Sequence, residues 1–238
     1  MKKYGKRGAA LVLALVLSMG LTACQEGTGD TKGFTTHDAE VYVEGLIREN
    51  YMGKASEEYM ELVDIHREDV ETLYENALSM DVEYFCFMYD IDDPSDEIQE
   101  EVRELYRDIY ENVKYELVSA AQQEDGSFSV KLNVYPIDIA QTVNETMNTA
   151  TEEFYEKYPQ EDINAMRDSE YAKVNEEWAR LILDLYQDAL KEIGNMAEKS
   201  ISVQIEQNDD GLYVINSDDF ARLDALIVDY TNMASAEA

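Results

Sequence analysis

From residue 37 to about residue 89, apolar side chains recur every three or four positions, the spacing that gathers them on one side of an α-helix. Thr35 or Thr36 is placed to cap a first helix carrying Val43, Leu46 and Ile47. Gly53 breaks it, and Ser56 caps a second, with Glu57 and Glu58 near the favourable end of its dipole. Leu62, Val63, Val70, Leu73, Tyr74, Ala77 and Met80 continue that second helix, which is expected to run to about Tyr89. Asp90 to Ser95 reads as a loop, because Pro94 disfavours helical geometry at Asp93. Ser95 then caps a helix striped by Ile98, Val102, Leu105 and Ile109, flanked by Tyr106 and Tyr110.

The period next shortens to two. Phe128, Val130, Leu132 and Val134 alternate with Ser129, Lys131, Asn133 and Tyr135, the pattern of a strand with one wet face. Tyr115 to Ala121 is its expected partner across Asp125-Gly126, a hairpin signal. Helix returns from Ile139 with Val143, Met147, Ala150 and Phe154. After Pro159 and a polar stretch, Ser169 opens a long helix whose face is Val174, Trp178, Leu181, Leu185 and Ile193, with Gly194 at its end. Trp178 is expected to be buried against the sheet. A second hairpin pairs Ile201, Val203 and Ile205 with Leu212 to Ile215 through Asn208-Asp209-Asp210-Gly211, and Ser217 caps a closing helix with Phe220, Leu223 and Ile227. The fold class expected is α+β: long amphipathic helices packed on an antiparallel sheet built from two β-hairpins. A single domain over 37–232 is expected, followed by a disordered tail at 233–238. The two Asp-Gly turns lie 85 residues apart, which leaves open a degenerate repeat of 37–136 and 137–230.

The chain start follows other rules. Lys2, Lys3, Lys6 and Arg7 precede twelve apolar or small residues, Ala9 to Gly20. That run is shorter than the roughly 20 residues a membrane-spanning helix needs, and it matches a secretory signal occupying 1–23. Leu21-Thr22-Ala23-Cys24 follows and resembles the lipobox of bacterial lipoproteins. The resemblance implies diacylglycerol on the Cys24 sulfur, cleavage before that residue, and acylation of the new amino terminus. Several acyl chains anchor stably where one alone is marginal. Residues 24–36 read as the lipidated cysteine and a flexible tether, with Gly27, Gly29 and Gly33 and no apolar side chain before Phe34.

Composition narrows the chemistry. There are 52 Asp plus Glu against 19 Lys plus Arg, for a net charge of −33. Removal of 1–23 takes four of the cations and brings the mature charge to −37. Such a field repels phosphate, which argues against nucleic acid as a partner. After Cys24 only Cys86 remains, in the apolar run Tyr84 to Tyr89, so it reads as a small buried hydrophobe rather than a reactive thiol. His37 and His66 are the only histidines and read as solvated helix residues, so with Cys86 buried the nitrogen and sulfur ligands of a zinc site are not expected. Carboxylates three or four apart, such as Glu97 and Glu101, occur on most helical turns and single out no pair. Asp90, Asp92, Pro94, Asp96 and Glu101 fall at positions 1, 3, 5, 7 and 12 of a calcium loop, but Pro94 replaces a side-chain oxygen ligand and Ser95 stands where the turn needs glycine. No metal, cofactor or catalytic residue is therefore assigned; Cys24, for lipidation, is the one site residue.

Seventeen tyrosines remain as a distinctive feature; for most of them a partly buried helix face with the hydroxyl at solvent is expected, and Tyr106, Tyr110, Tyr155, Tyr158 and Tyr186 are the first to weigh as partner-facing or stacking side chains. With its lipobox, Tyr42-Val43-Glu44-Gly45-Leu46, Tyr135-Pro136-Ile137-Asp138-Ile139 and Asp210-Gly211-Leu212-Tyr213, the chain resembles Gram-positive lipoproteins that pair a lipobox with one acidic, Tyr-rich α+β domain. More distantly, helices followed by a curved antiparallel sheet are similar to nuclear-transport-factor-like domains, although the helices between the hairpins are longer here. The resemblance implies a position on the extracytoplasmic face of the cell membrane, through lipid on Cys24. The function expected is non-enzymatic binding of a protein or small-molecule ligand. A carboxylate-dependent hydrolase of envelope or dietary polymers is the alternative; a pocket with two desolvated carboxylates would favour it, whereas a shallow Tyr-rich groove would favour binding.

Overall fold

The computed structural model describes residues 33–228. The signal segment, Cys24, most of the tether and the tail at 233–238 lie outside the described residues. The described chain forms two compact units that interleave along the sequence. One takes residues up to Ala77, Lys114–Tyr135 and Glu198–Ile227; the other takes Leu78–Val113, Pro136–Ala197 and Val228 onward.

The first unit carries the sheet. Helix α1 (Thr36–Met52) begins at a capping box: the Thr35 hydroxyl accepts from the Asp38 amide at 3.2 Å, and the Asp38 carboxylate accepts from the Thr35 amide at 2.8 Å. It ends at Gly53, whose φ of 61° suits a residue without a Cβ. The single second helix expected from Ser56 is two helices, α2 (Glu57–Val63) and α3 (Arg67–Met88). Asp64 turns left-handed at φ 53°, the Ile65 amide donates back to the Met60 carbonyl at 3.0 Å, and the Asp69 carboxylate accepts from the His66 amide at 2.7 Å. Those local bonds stop one helix and start the next, outweighing an apolar spacing that runs through the break.

Four strands follow the expected hairpins: β1 (Lys114–Gln122), β2 (Phe128–Tyr135), β3 (Lys199–Gln207) and β4 (Tyr213–Ile215), all antiparallel in the order β1-β2-β3-β4. Gly126 and Gly211 take φ of 90° and 81° in the two turns. Val130 faces Val203 and Leu132 faces Ile201 in register, and these side chains are buried. Helices α1 and α8 (Ser217–Ile227) pack on the sheet. The cap of α8 is Asn216, one residue earlier than expected, its side chain accepting from the Asp218 and Asp219 amides. Phe34, assigned to the tether from sequence, stacks on Tyr213 with ring centres 4.2 Å apart.

The second unit is helical. It contains the rest of α3, α4 (Asp96–Tyr110), α5 (Ile139–Lys157), α6 (Gln160–Ala165) and α7 (Asp168–Leu190), with α7 packed on α4 and α5. Its core is aromatic: Phe85 lies against Tyr89 and Tyr186, whose hydroxyls meet at 2.7 Å. The buried stripe of α7 is Val174, Trp178, Ile182 and Tyr186, with Asn175, Ala179 and Leu183 beside it. Leu181, Leu185 and Ile193, placed on that stripe from sequence, are only half-buried. The face is rotated because Tyr186 and Asn175, polar in composition, are buried with hydrogen-bond partners, the Tyr89 hydroxyl and the Asp92 backbone. Trp178 is buried as expected, but its partners are helical rather than the sheet: Phe154 at 4.9 Å, Tyr155 at 6.2 Å, and the Tyr89 carbonyl, which accepts from Nε1 at 2.7 Å.

Candidate binding groove

In the helical unit the chain leaves α5 through a run of aromatics. Phe154 is buried, ringed by Tyr155, Tyr158 and Trp178 at centroid separations of 5.7, 5.2 and 4.9 Å. Pro159 then turns the backbone into α6, and Met166 carries it out again in extended geometry. Helix α6 buries none of its own residues, so it forms a strap and not a core element. Between the strap and the first turns of α7 runs a shallow, solvent-open groove of about 480 Å³, lined by Tyr158, Asp162, Ala165, Met166, Glu170, Lys173 and Val174.

Two ion pairs fix the groove's rim. Arg167 holds Glu170 with Nη2 at 2.6 Å and Nε at 3.3 Å, which lowers the Glu170 pKa and raises that of Arg167. Lys157 pairs with Glu177, and Tyr158 Oη donates to the same carboxylate at 2.7 Å, so Glu177 is likewise held below the usual carboxylate range. The Lys157 ammonium also sits 4.9 Å from the centre of the Tyr158 ring. These contacts orient the Tyr158 ring at the groove. Asp162 and Lys173 make no salt bridge among the described residues.

A general acid needs a carboxyl held protonated near neutrality, and both Glu170 and Glu177 are pushed the other way. Carboxyls held above the ordinary range occur in the sheet-bearing unit instead. Burial raises Glu49 to about 7, partly offset by the Tyr59 hydroxyl, and the side chain is 3% exposed between helices. Burial also raises Asp224, which accepts from Tyr51 Oη at 2.5 Å.

The acidic loop after α3 is organised by protein groups. Asn175 accepts from the Asp92 amide at 3.0 Å and donates to its carbonyl at 2.5 Å, while Tyr171 Oη donates to the Asp92 carboxylate at 2.6 Å. Glu101 receives Arg180 at 3.0 Å, and Glu97 receives the same guanidinium at 3.2 Å. Among the described residues no three His, Cys, Asp or Glu side chains gather in a way that could hold a metal ion.

The other residues singled out from sequence separate clearly. Cys24 lies outside the described residues. Cys86 is buried, and desolvation pushes its thiol up to about 11. His37 forms an exposed pair with Glu58 at 2.9 Å, in the sheet-bearing unit and not in the one with the groove. Of the five tyrosines, Tyr106, Tyr110 and Tyr186 are core, whereas Tyr158 lines the groove and Tyr155 packs beside it. Sequence reasoning missed α6 and the groove residues Asp162, Met166, Glu170 and Lys173. The closely spaced Tyr155, Tyr158, Pro159 and Met166 were the only local signal for them.

Tyrosine hydroxyls repeatedly reach carboxylates. Tyr59 donates to Glu49, Tyr51 to Asp224, Tyr110 to Asp81 at 2.8 Å, Tyr135 to Glu116 and Glu198, Tyr158 to Glu177 and Tyr171 to Asp92.

No protein-family model matches the sequence, and no curated protein does. Among the described residues no helix is long and apolar enough to cross a membrane. In structure the chain is similar to a candidate lipoprotein of Bacillus subtilis, ycdA, with a TM-score of 0.52 at 13% sequence identity. The match covers 81% of this chain and 58% of that one, so this chain spans less than two thirds of that protein's length. The α+β fold of this chain is thus similar to that of a solved structure.

Proposed function

We propose that this protein is a lipoprotein held on the extracytoplasmic face of the cell membrane by lipid on Cys24, and that its helical unit binds a ligand or partner without catalysing a reaction. The anchor rests on the basic, apolar and small-residue order of residues 2–24. The fold likeness to a candidate lipoprotein supports it. Binding rests on one observation above the rest: a shallow groove lined by Tyr158, whose hydroxyl is tied to Glu177, and by Glu170, which Arg167 holds in an ion pair. Shallow, open surfaces suit segments of larger partners better than enclosed small substrates.

The anchor is tested by Cys24→Ala with metabolic lipid labelling and detergent phase separation. Loss of label and of detergent partitioning is expected; unchanged labelling would rule out Cys24 as the anchor. Hydrolysis of envelope glycan by the purified domain, abolished by Glu170→Gln, would restore the hydrolase reading.

A further inference from the structure

The groove's chemistry indicates what it takes. Resting on the reading that this groove is a binding site, we infer that its occupant is a peptide segment bearing an apolar side chain flanked by one basic and one acidic residue. The floor is aliphatic and thioether, from Val174, Ala165 and Met166, with the Tyr158 ring beside it. That lining suits an apolar anchor. Charged side chains border the same space. Glu170 takes the Arg167 fork and also feels the Lys173 charge at longer range, while Asp162 and Lys173, of opposite sign, make no salt bridge among the described residues. Complementarity therefore calls for a cation near Asp162 and an anion near Lys173 in one ligand.

Other occupants fit less well. A polyanion would meet Lys173 but also Asp162, Glu170 and a chain of net charge −33. A neutral glycan would stack on Tyr158 but would leave both of those charges unused, and would lay hydroxyls on Val174 and Met166. A small zwitterion such as a single amino acid could meet both charges, yet an open groove of about 480 Å³ would leave most of it in water.

The test uses the whole mature chain and four capped pentapeptides: Gly-Lys-Leu-Glu-Gly, its reversed-charge-order isomer, an all-neutral version with Gln for both charges, and a doubly basic version. Chitotetraose is the fifth probe. Binding is followed by titration calorimetry and by the emission of the single tryptophan, Trp178, which lies one helical turn from Val174. At least one mixed-charge peptide should bind saturably. Asp162→Asn and Lys173→Met should each weaken it by about three- to five-fold, the range of a partly exposed ion pair. Neither should change the weaker affinity for the neutral peptide, while Tyr158→Ala should weaken both. Equal affinity for all four peptides, or indifference to Asp162→Asn and Lys173→Met, would overturn the charge-pair assignment. Binding of chitotetraose alone, lost in Tyr158→Ala, would overturn the peptide inference and keep the groove as a binding site. No saturable response to any probe would remove both.

Discussion

Tyr59 Oη donates to Glu49 Oε2 at 3.0 Å inside the contact between α1 and α2, and both side chains are buried. The phenol is the polar partner of a carboxyl almost wholly removed from water. Tyr42 lies close by, its ring 6.5 Å from that of Tyr59, and adds no positive charge. Burial therefore dominates and lifts Glu49 to about 7.

This sets a pH dependence with a definite sign. An unfolded Glu49 ionises near 4.5, so its contribution to stability is complete below that pH and is lost as pH rises to about 7. Glu49→Gln keeps an acceptor for Tyr59 and removes the charge. It should be close to neutral at pH 4.5 and stabilising by roughly 3 kcal/mol at pH 8, since each tenfold change in proton affinity is worth about 1.4 kcal/mol. Urea denaturation of both proteins at the two pH values measures this, since every other titrating group is shared. An equal difference at both pH values would show that Glu49 is not held protonated.

Gly45 faces the same ring from one turn earlier. A Cβ there would lie 1.9 Å from Tyr59 Cδ2, closer than any real contact. Gly45→Ala gains about 1 kcal/mol of helix propensity, but relieving the overlap should cost about 2–4 kcal/mol. The variant should therefore be less stable on balance, as urea denaturation would show. A more stable single variant would mean that α2 can move off α1 freely.

Trp178 offers an optical check on the helical unit. At 6% exposure, with its Nε1 bonded to the Tyr89 carbonyl, it should emit at short wavelength and resist quenching by iodide. Trp178→Ala should cost roughly 3–5 kcal/mol. Trp178→Phe keeps the ring but strands the carbonyl, for about 1–3 kcal/mol. Red-shifted, freely quenched emission would contradict the packing.

Calcium should leave thermal stability nearly unchanged. Asp92 and Glu101 already receive Tyr171 and Arg180, so a cation must displace protein donors and still lacks a side-chain oxygen at Pro94. Melts with chelator and with millimolar calcium, at about 0.15 M salt, should coincide. A saturable rise of many degrees at micromolar calcium would point to the Asp90–Glu101 loop.

What could be read in advance followed periodicity. The hairpins were legible because alternation and Asp-Gly turns agree over Phe128–Tyr135 and around Gly211. The break at Asp64 was not, because it comes from local bonds to the Met60 carbonyl and the Asp69 carboxylate that leave the apolar spacing intact. The α7 face was rotated because Tyr186 and Asn175 are buried by specific hydrogen bonds that no hydrophobic pattern records. The groove was invisible for a simpler reason: α6 buries nothing, so it has no stripe.

The phenol–carboxylate bonds give the fold an unusual dependence on its medium. In a chain with 52 acids and 19 Lys plus Arg, neutral hydroxyls take over much of the pairing that cations supply elsewhere. Dissolved ions weaken attraction between charges but barely touch a hydrogen bond from an uncharged donor. Added salt should therefore relieve the repulsion among surplus acids while leaving these clasps closed, so that brine favours the folded chain. Alkali is the hazard, because every such clasp fails when its phenol loses a proton. Desolvation, and after it the hydrogen bond to a carboxylate, postpones that point to about 12 at both Tyr135 and Tyr171.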